Sequence, residues 1–310
     1  VASDSPLDGF AYQIVSGNTS NTFAIDPLNG AITVADNSQI ANGILTTFHL
    51  GVLVQDSGLG GLYPLKTNYA TANIGILASG VAVPGLKHRY AFTSNAVDSV
   101  GGVNAVLLGT ATVAGGRLQL PGGAARVNCA SLNLSGTFAT NASLSFEAWC
   151  TVTTPLDWAK AWMFGQPGGE NGLAYVEFTP RTGSIGVPSM SFNSAVAGEL
   201  NTRTVPNPAA LVAGTEYHII CAYDAPNNQM RLYVNGVQVD TGSLGGGNMT
   251  QVPASEGYLG AAVNYGDPNL IGNLNEFRVW NLPLAGLQVA LNEAAGADVV
   301  LSATAATATH

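Results

Sequence analysis

The sequence predicts an all-β protein made of two β-sandwiches in succession. Short runs of residues alternate apolar and polar side chains, which is the period of a strand with one buried face. Clusters rich in Gly, Asn, Asp, Ser and Pro separate these runs, as expected of tight turns. Residues 80–87 lack this alternation, so we place a linker there and predict one sandwich on each side of it.

The first sandwich is predicted within residues 1–79. Its strand-like runs are FAYQIV, TFAID, AITVA, TFHLGVLVQD and ATANIGIL, with SGNTSN and DPLNG as turn clusters between them. Runs of this length joined by short turns are typical of antiparallel sheets, because adjacent strands then need only a tight connection. We therefore expect a Greek-key sandwich of the immunoglobulin type.

The alternation resumes after the linker and continues through residues 88–296. Its runs include SLSFEAWCTV, LAYVEFTP, EYHIICAYDA and LNEFRVWNL. Asn235–Gly236 separates two strand-like runs, and this dipeptide predicts a two-residue hairpin because both positions tolerate a positive φ. LAGLQVALNEAA predicts one short helix near residues 285–295, and residues 297–310 follow as an extended tail.

The composition excludes several classes of function. Only 9% of the residues are charged, against roughly 25% in an average globular protein. The net charge is −9 with ten Lys and Arg residues, too few for a patch that follows phosphates or an anionic membrane. No apolar run approaches the roughly 20 residues that span a bilayer. We therefore expect neither nucleic-acid binding nor membrane insertion.

Three cysteines, Cys129, Cys150 and Cys221, allow one disulfide and leave one thiol over. Cys150 and Cys221 both lie in strand-like runs, which favours buried, unpaired cysteines over a disulfide.

The first 79 residues carry four short stretches in a fixed order. They are Val1–Asp4, Tyr12–Asn18, Phe23–Ile32 and a strand-like run, Phe48–Asp56, that ends in aspartate. In this order and spacing they resemble a cadherin-type repeat. The resemblance implies a cadherin-like sandwich that lacks its first strand and nearly all of its second.

The second part carries the motifs GRLQLPGGAARV, SLSFEAWCTV, LYVNGVQV and IGNLNEFRVWNLPLA. Together they resemble a laminin-G-like domain of the concanavalin A-like jelly-roll class, over residues 88–296. Tyr217 stands where relatives usually carry Trp. The resemblance implies a two-sheet sandwich whose rim binds sugars or proteins in some family members.

No cofactor is required, and calcium is the optional ion that both resemblances imply. Asp4 and Asp56 match two ligand positions of cadherin repeats, but Pro6 stands where a second aspartate of the pair is expected. Asp224 and Asp267 are candidates for a calcium site at the rim of the jelly roll. The alternative for all of them is a turn residue whose side chain caps its own backbone.

Two features concern sugars. Trp158 and Trp162, in LDWAKAW, are candidates for stacking on a sugar ring, although buried aromatic residues are commoner in a jelly roll. Four N-x-S/T sequons permit surface glycosylation, at Asn18, Asn133, Asn141 and Asn248.

We expect no enzymatic activity. Glycoside hydrolysis needs two carboxylates about 5 to 9 Å apart, and no E-x-D-x-x-E type of cluster occurs, since Glu147 is alone in its strand. His49, His88, His218 and His310 stand far apart, without a metal-binding or nucleophile motif near them.

The strands missing from the cadherin-like repeat have a candidate replacement at the other end of the chain. GADVVLSATA resembles the second strand of that family, and residues 297–310 have no place in the jelly roll. We therefore expect this tail to complete the sandwich of the next chain through main-chain hydrogen bonds. The candidate donor residues are Val299, Val300, Leu301, Ala303 and Ala305.

The predicted function follows from this tail. A head-to-tail contact that does not close generates an open fibre, so we expect a self-assembling structural or adhesion protein at the cell surface or outside the cell. The alternative is a carbohydrate-binding or matrix-binding module of a larger adhesin whose preceding residues supply the missing strands in cis. Two other interpretations stay open: the tail is merely a linker, or the chain is a free-standing sugar-binding protein or enzyme.

Overall fold

The computed structural model describes residues 9–36, 47–56, 66–76, 83–124, 126–166, 174–183, 185–194, 203–206, 209–263 and 266–303. The described chain is nearly all β, which confirms the predicted fold class. It divides into two compact units. Unit 1 combines Val1–Pro84 with Gly286–His310, and unit 2 is Gly85–Ala285. None of the described helices is long and apolar enough to cross a membrane.

The strands and helices are numbered here in chain order. The strands are β1 (Phe10–Ser16), β2 (Phe23–Ile25), β3 (Ile32–Val34), β4 (Thr47–Asp56), β5 (Thr67–Ile76), β6 (Leu86–Tyr90), β7 (Val106–Leu107), β8 (Thr112–Ala114), β9 (Arg117–Pro121), β10 (Ala130–Leu132), β11 (Leu144–Thr154), β12 (Trp162–Gly165), β13 (Tyr175–Thr179), β14 (Ser189–Asn193), β15 (Arg203–Pro206), β16 (Glu216–Asp224), β17 (Gln229–Val234), β18 (Val237–Ser243), β19 (Glu256–Leu259), β20 (Ile271–Trp280) and β21 (Leu301–Ala303). The α-helices are α1 (Ser135–Thr140) and α2 (Gly286–Ala295).

Unit 1 contains an antiparallel sheet in the order β1-β4-β5-β21 and a separate hairpin of β2 and β3. The apolar residues of TFHLGVLVQD alternate along β4, so that Phe48, Leu50 and Val52 are buried on one face. The ring of Phe23 meets that of Phe48 edge to face, with centroids 4.9 Å apart. The resemblance of residues 1–79 to a cadherin-type repeat stays a prediction.

The end of the chain belongs to unit 1. Helix α2 confirms the helix predicted near residues 285–295, and its Leu291 is buried in the same core as Phe23 and Phe48. Strand β21 pairs antiparallel with β5 of the same chain, with Leu301 opposite Ile76. The predicted donor segment therefore does extend a sheet of the N-terminal sandwich, here within one chain, while its exchange between chains stays a prediction.

Unit 2 is built from two antiparallel sheets. One has seven strands in the order β15-β14-β13-β12-β19-β10-β7, and the other has eight, β18-β17-β16-β11-β20-β9-β8 with β6 paired to β20. Alternation in SLSFEAWCTV directs Phe146, Ala148 and Cys150 into the core of the unit. Consequently Glu147 and Trp149 lie on the opposite face of the eight-stranded sheet.

Two local predictions in unit 2 are confirmed. Asn235 and Gly236 have φ values of 49° and 75° and connect β17 to β18, as a two-residue hairpin turn requires. Cys129, Cys150 and Cys221 are free and buried, and burial raises the pKa of Cys129 to about 11 and that of Cys150 to about 12.

Asp98 anchors the loop that follows β6. Its side chain is buried, and Nδ1 of His88 lies 2.7 Å from its Oδ2. Nε2 of His88 in turn lies 2.6 Å from the hydroxyl of Thr137 on α1. Four backbone N–H groups also donate to the Asp98 carboxylate, those of Arg89, Val100, Gly101 and Val103. Burial alone would raise the pKa of Asp98, but these hydrogen bonds outweigh it and lower the pKa to about 2.

Asp98→Asn is expected to lower the free energy of unfolding of unit 2 by about 2 kcal/mol at pH 7. Because the folded pKa is depressed, the stabilisation is present above the unfolded pKa of about 3.9 and is lost as the pH falls towards 2. Urea denaturation at pH 7, 4 and 2.5 measures this dependence. The difference between the two proteins should shrink as the pH falls, and a difference that stays constant would contradict the assignment.

Candidate functional site

The outer face of the seven-stranded sheet is polar across several strands. Alternation directs Val176, Phe178, Met190 and Phe192 into the core. The residues between them, on β13 and β14, lie on the opposite face, and they are Tyr175, Glu177, Thr179, Ser189, Ser191 and Asn193. One row crosses the sheet, since Ser191 pairs with Glu177, Glu177 with Met163 and Met163 with Tyr258. Apart from Tyr175, the polar side chains of this set are buried, at 1% to 7% exposure, and Met163 and Tyr258 belong to a small buried apolar cluster. We call this shielded layer of side chains the polar face.

A buried lysine is the electrostatic centre of the polar face. The ammonium of Lys160 lies 3.1 Å from Glu177 Oε2 and 3.3 Å from Asp267 Oδ2, and it donates to the Thr179 hydroxyl at 3.0 Å. Lys160 is 3% exposed. These partners stabilise its buried ammonium, because a buried charge without partners has a high free-energy cost. We call Lys160, Glu177, Thr179 and Asp267 the lysine cluster.

Trp158 lies beside the lysine cluster and is 43% exposed. The Lys160 ammonium is 5.5 Å from the centroid of its ring. Its backbone has a φ of 67°, in the left-handed region that side chains of this size rarely adopt. The backbone N–H of Trp158 donates to the Arg181 carbonyl at 2.8 Å. The indole packs against Gly183, where an added Cβ would lie 2.4 Å from its Nε1. The chain thus holds an exposed indole in a strained and specified position.

A second charged pair continues the polar face on β19. Arg126 bonds to Glu256 and donates to the Tyr258 hydroxyl at 3.3 Å, with its guanidinium 5.5 Å from the centre of the Tyr258 ring. Burial raises the pKa of Tyr258. Between this pair and Tyr175, β12 carries Gly165, which pairs with both Tyr175 and Glu256. The face therefore combines aromatic rings, paired charges and a position without a side chain.

A different network lies on the outer face of the eight-stranded sheet. Glu147 accepts hydrogen bonds from His218 and Trp280, each at 2.8 Å, and Arg278 donates to it at 3.5 Å. Arg278 also bonds to Glu276, to which Arg89 donates at 2.7 Å. Both carboxylates are fully buried; burial would raise their pKa values, but Arg278 and the hydrogen bonds lower them. Because every carboxylate oxygen of this pair is engaged, the network acts as an internal ionic lock.

The described aspartates that were predicted as calcium ligands each bond to a different set of protein groups. Asp56, in unit 1, is buried and accepts from the Lys66 N–H at 3.0 Å. Asp224 ends β16, where Asn227 and Arg231 donate to it; burial opposes these bonds, yet its pKa is lowered. Asp267 faces Lys160, and Asp4 lies outside the described residues. Within the described ranges no group of three or more His, Cys, Asp or Glu side chains is placed to hold a metal, and calcium stays a prediction.

The other predicted residues fall as follows. Trp162 is buried, with its ring 4.9 Å from that of Phe178, so it is a core residue. Among the sequon asparagines, Asn133 is exposed and the other three, Asn18, Asn141 and Asn248, are partly buried. Val299 packs against the core of unit 1, Val300 is partly buried, and Ala305 lies outside the described residues.

Sequence reasoning missed the lysine cluster and the ionic lock. Lys160 stands between two tryptophans, and its partners are 17 and 107 residues further along the chain. The alternation in LAYVEFTP was the available signal, because it places Tyr175, Glu177 and Thr179 on one face. Glu147, which is alone in its strand, finds its partners on β16 and β20.

The two antiparallel sheets around one core, with a polar outer face on one of them, define unit 2 as a lectin-like jelly roll. The chain belongs to the concanavalin A-like lectin/glucanases superfamily, whose family model matches residues 121–290, more than half of the 310 residues. This confirms the predicted jelly-roll class.

Two solved structures are similar to this chain at low sequence identity. Domain 4 of AbnA, an extracellular GH43 arabinanase from Geobacillus stearothermophilus solved with arabinotriose, is 18% identical with a TM-score of 0.50, covering 67% of this chain and 98% of that one. The CBM40 of the Ruminococcus gnavus IT-sialidase, bound to α2,3-sialyllactose, is 15% identical with a TM-score of 0.46, covering 56% and 94%. No curated protein matches the chain.

Proposed function

We propose that the protein is a carbohydrate-binding module of an extracellular or cell-surface protein and that it binds glycan at Trp158 and the lysine cluster. Membership of a lectin superfamily supports the class of function. The observation that carries the proposal is the exposed indole of Trp158, held at a φ of 67° beside a buried ammonium with two carboxylates. Strain of this kind persists where the surrounding structure enforces it, often at binding sites.

The chemistry of the site fits a sugar. One face of a pyranose or furanose ring presents C–H groups that pack on an aromatic ring, and the exposed indole of Trp158 supplies such a surface. Sugar hydroxyls donate and accept hydrogen bonds, and charged partners make the strong ones. Asp267, whose side chain is 22% exposed, supplies an acceptor. The Lys160 ammonium, whose three N–H groups bond to Glu177, Asp267 and Thr179, holds that carboxylate in place.

The charge of the site selects among sugars. The lysine cluster contains one cation and two carboxylates, a formal charge of 1 − 2 = −1, and the Arg126–Glu256 pair adds none. A net negative site disfavours acidic sugars, because like charges repel where water is excluded. The proposed ligand class is therefore a neutral, hydroxyl-rich glycan.

Trp158→Gly is expected to weaken glycan binding at least about tenfold while leaving unit 2 folded, because the relieved backbone strain offsets part of the lost packing of the ring. The ring is removed, but glycine adopts the left-handed backbone without the roughly 1 kcal/mol cost that other residues carry there. A glycan array identifies the ligand, titration calorimetry measures the affinity, and thermal unfolding measures stability.

Tyr69→Ala is the matched control, because Tyr69 is an aromatic residue 66% exposed in unit 1. Binding should be unchanged in this variant and should persist in EDTA, since Lys160 supplies the positive charge of the site. Unchanged binding in Trp158→Gly would overturn the proposed site. Binding to no glycan by the unmodified protein would overturn the proposed function.

A second function, head-to-tail self-assembly, rests on a different observation. The predicted donor segment does add a strand to the N-terminal sandwich, through β21 on β5, and the same pairing between copies would link them in an open series. Electron microscopy of the purified chain tests this function. Filaments would support it, and single particles at all protein concentrations would overturn it.

A further inference from the structure

Unit 1 is assembled from two stretches of chain separated by the whole of unit 2. In β21, Leu301, Ser302 and Ala303 pair with Ile76, Gly75 and Ile74 of β5. The two strands are about 225 residues apart in sequence, but the two ends of unit 2 lie side by side, since the Asn281 N–H donates to the Gly85 carbonyl at 2.7 Å. The N-terminal stretch on its own would present β5 as an unpaired edge strand.

Helix α2 contributes a buried side chain to the core of unit 1, whereas β21 adds a strand at the edge of its sheet. The fully buried apolar core of unit 1 contains Phe23, Phe48, Leu50, Val52 and Ile74 from the first stretch and Leu291 from the helix. Ala295 and Val299 pack against the same core. The part of the chain that completes unit 1 is thus the helix together with the strand, Gly286–Ala303, which we call the C-terminal segment.

We propose that the C-terminal segment is exchanged between copies, so that α2 and β21 of one chain complete unit 1 of another. The partner is a second copy of this chain, and the proposal rests on the self-assembly function above, whose exchanged element it names. The contacts made within one chain and between two chains are the same, which is why exchange of an identical element has a low free-energy cost.

Gly286 is the hinge that this exchange requires. It is the first residue of α2 and directly follows the last residue of unit 2, Ala285. Its φ is 53°, and a Cβ there would meet nothing within 4 Å. A side chain at this position would be strained by the positive φ, whereas glycine adopts both this backbone conformation and others at little cost. A change of φ and ψ at one glycine redirects the whole C-terminal segment.

A paired-cysteine variant, Gly75→Cys with Ser302→Cys, distinguishes closure within a chain from exchange. The two positions are opposite each other on β5 and β21, at a Cα spacing of about 4.5 to 5.5 Å that suits a disulfide. The native thiols are buried, and each single variant controls for their reaction.

Oxidation of the concentrated, assembled paired variant should give a ladder of disulfide-linked multimers on a non-reducing gel. Peptide mapping should join the two introduced thiols across chains. A single band with only an intrachain bond would overturn the exchange. Filaments without interchain bonds would overturn the exchange and leave the assembly function standing, whereas small linked oligomers without filaments would support exchange and overturn the fibre.

Discussion

Glu147→Ala is expected to lower the free energy of unfolding of unit 2 by about 3 to 5 kcal/mol. Glu147 is fully buried and accepts hydrogen bonds from His218, Trp280 and Arg278. Alanine removes the acceptor of all three donors at once. Arg278 is itself fully buried, with its guanidinium 4.5 Å from the centre of the Trp149 ring, so it would lose one of its two carboxylates without gaining water.

Two variants give this prediction its scale. Glu147→Gln keeps the shape and one acceptor oxygen and should cost less than alanine, because the lost interaction is mainly the charge. Glu216→Ala removes a carboxylate from a pair with Arg117 in which both side chains are about one-third exposed, and it should cost about 0 to 1 kcal/mol. Urea denaturation followed by tryptophan fluorescence measures all three. Equal losses for Glu147→Ala and Glu216→Ala would show that burial of the lock contributes nothing.

The ionic lock and the lysine cluster could not be predicted from the sequence, and the reason is the same for both. Alternation within a strand decides which face a side chain occupies, but the register between strands decides which side chains meet. The contact of Glu147 with His218 depends on the pairing of β11 with β16, and that of Lys160 with Asp267 joins residues 107 apart. Neither pairing is encoded in a local pattern.

Local features were predictable for the complementary reason. Asn235–Gly236 forms its turn because both residues adopt a positive φ at little cost, and the alternation in SLSFEAWCTV alone decides that Phe146 is buried and Glu147 faces away from the core. Helix α2 was predicted within a residue of its bounds. The unit against which α2 packs was not predicted. An apolar stripe shows that a helix packs on a core, but it does not show which core.

Trp158 shows how far composition could lead. LDWAKAW contains two tryptophans four residues apart, and the sequence offered both as sugar contacts or as core. Strand β12 begins at Trp162 and directs it inward, whereas Trp158 precedes the strand and is exposed. The φ of 67° that distinguishes Trp158 arises from the turn and from the hydrogen bond of its backbone N–H to Arg181. The residue type at this position does not predict that φ.

Leu291→Ala is expected to destabilise unit 1 by about 2 to 5 kcal/mol and to leave unit 2 unchanged. Leu291 is 3% exposed and shares its core with only five other fully buried apolar residues of the described chain, so the cavity removes a large fraction of a small core. Hydrogen exchange should accelerate in β2, β4 and β5, with exchange in β11 and β16 unaltered.

Leu287→Ala is the matched control, since the same side chain on the same helix is 44% exposed there and its loss should be within about 0.5 kcal/mol. If hydrogen exchange in β4 and β5 is as slow in Leu291→Ala as in Leu287→Ala, α2 is not part of unit 1. If Leu291→Ala accelerates hydrogen exchange in β4 and β5 and also dissolves assembled material, the contact that stabilises unit 1 is the one that joins copies. A helix residue rather than the strand would then set the strength of the assembly, because β21 contributes three residue pairs at a sheet edge while Leu291 fills the core.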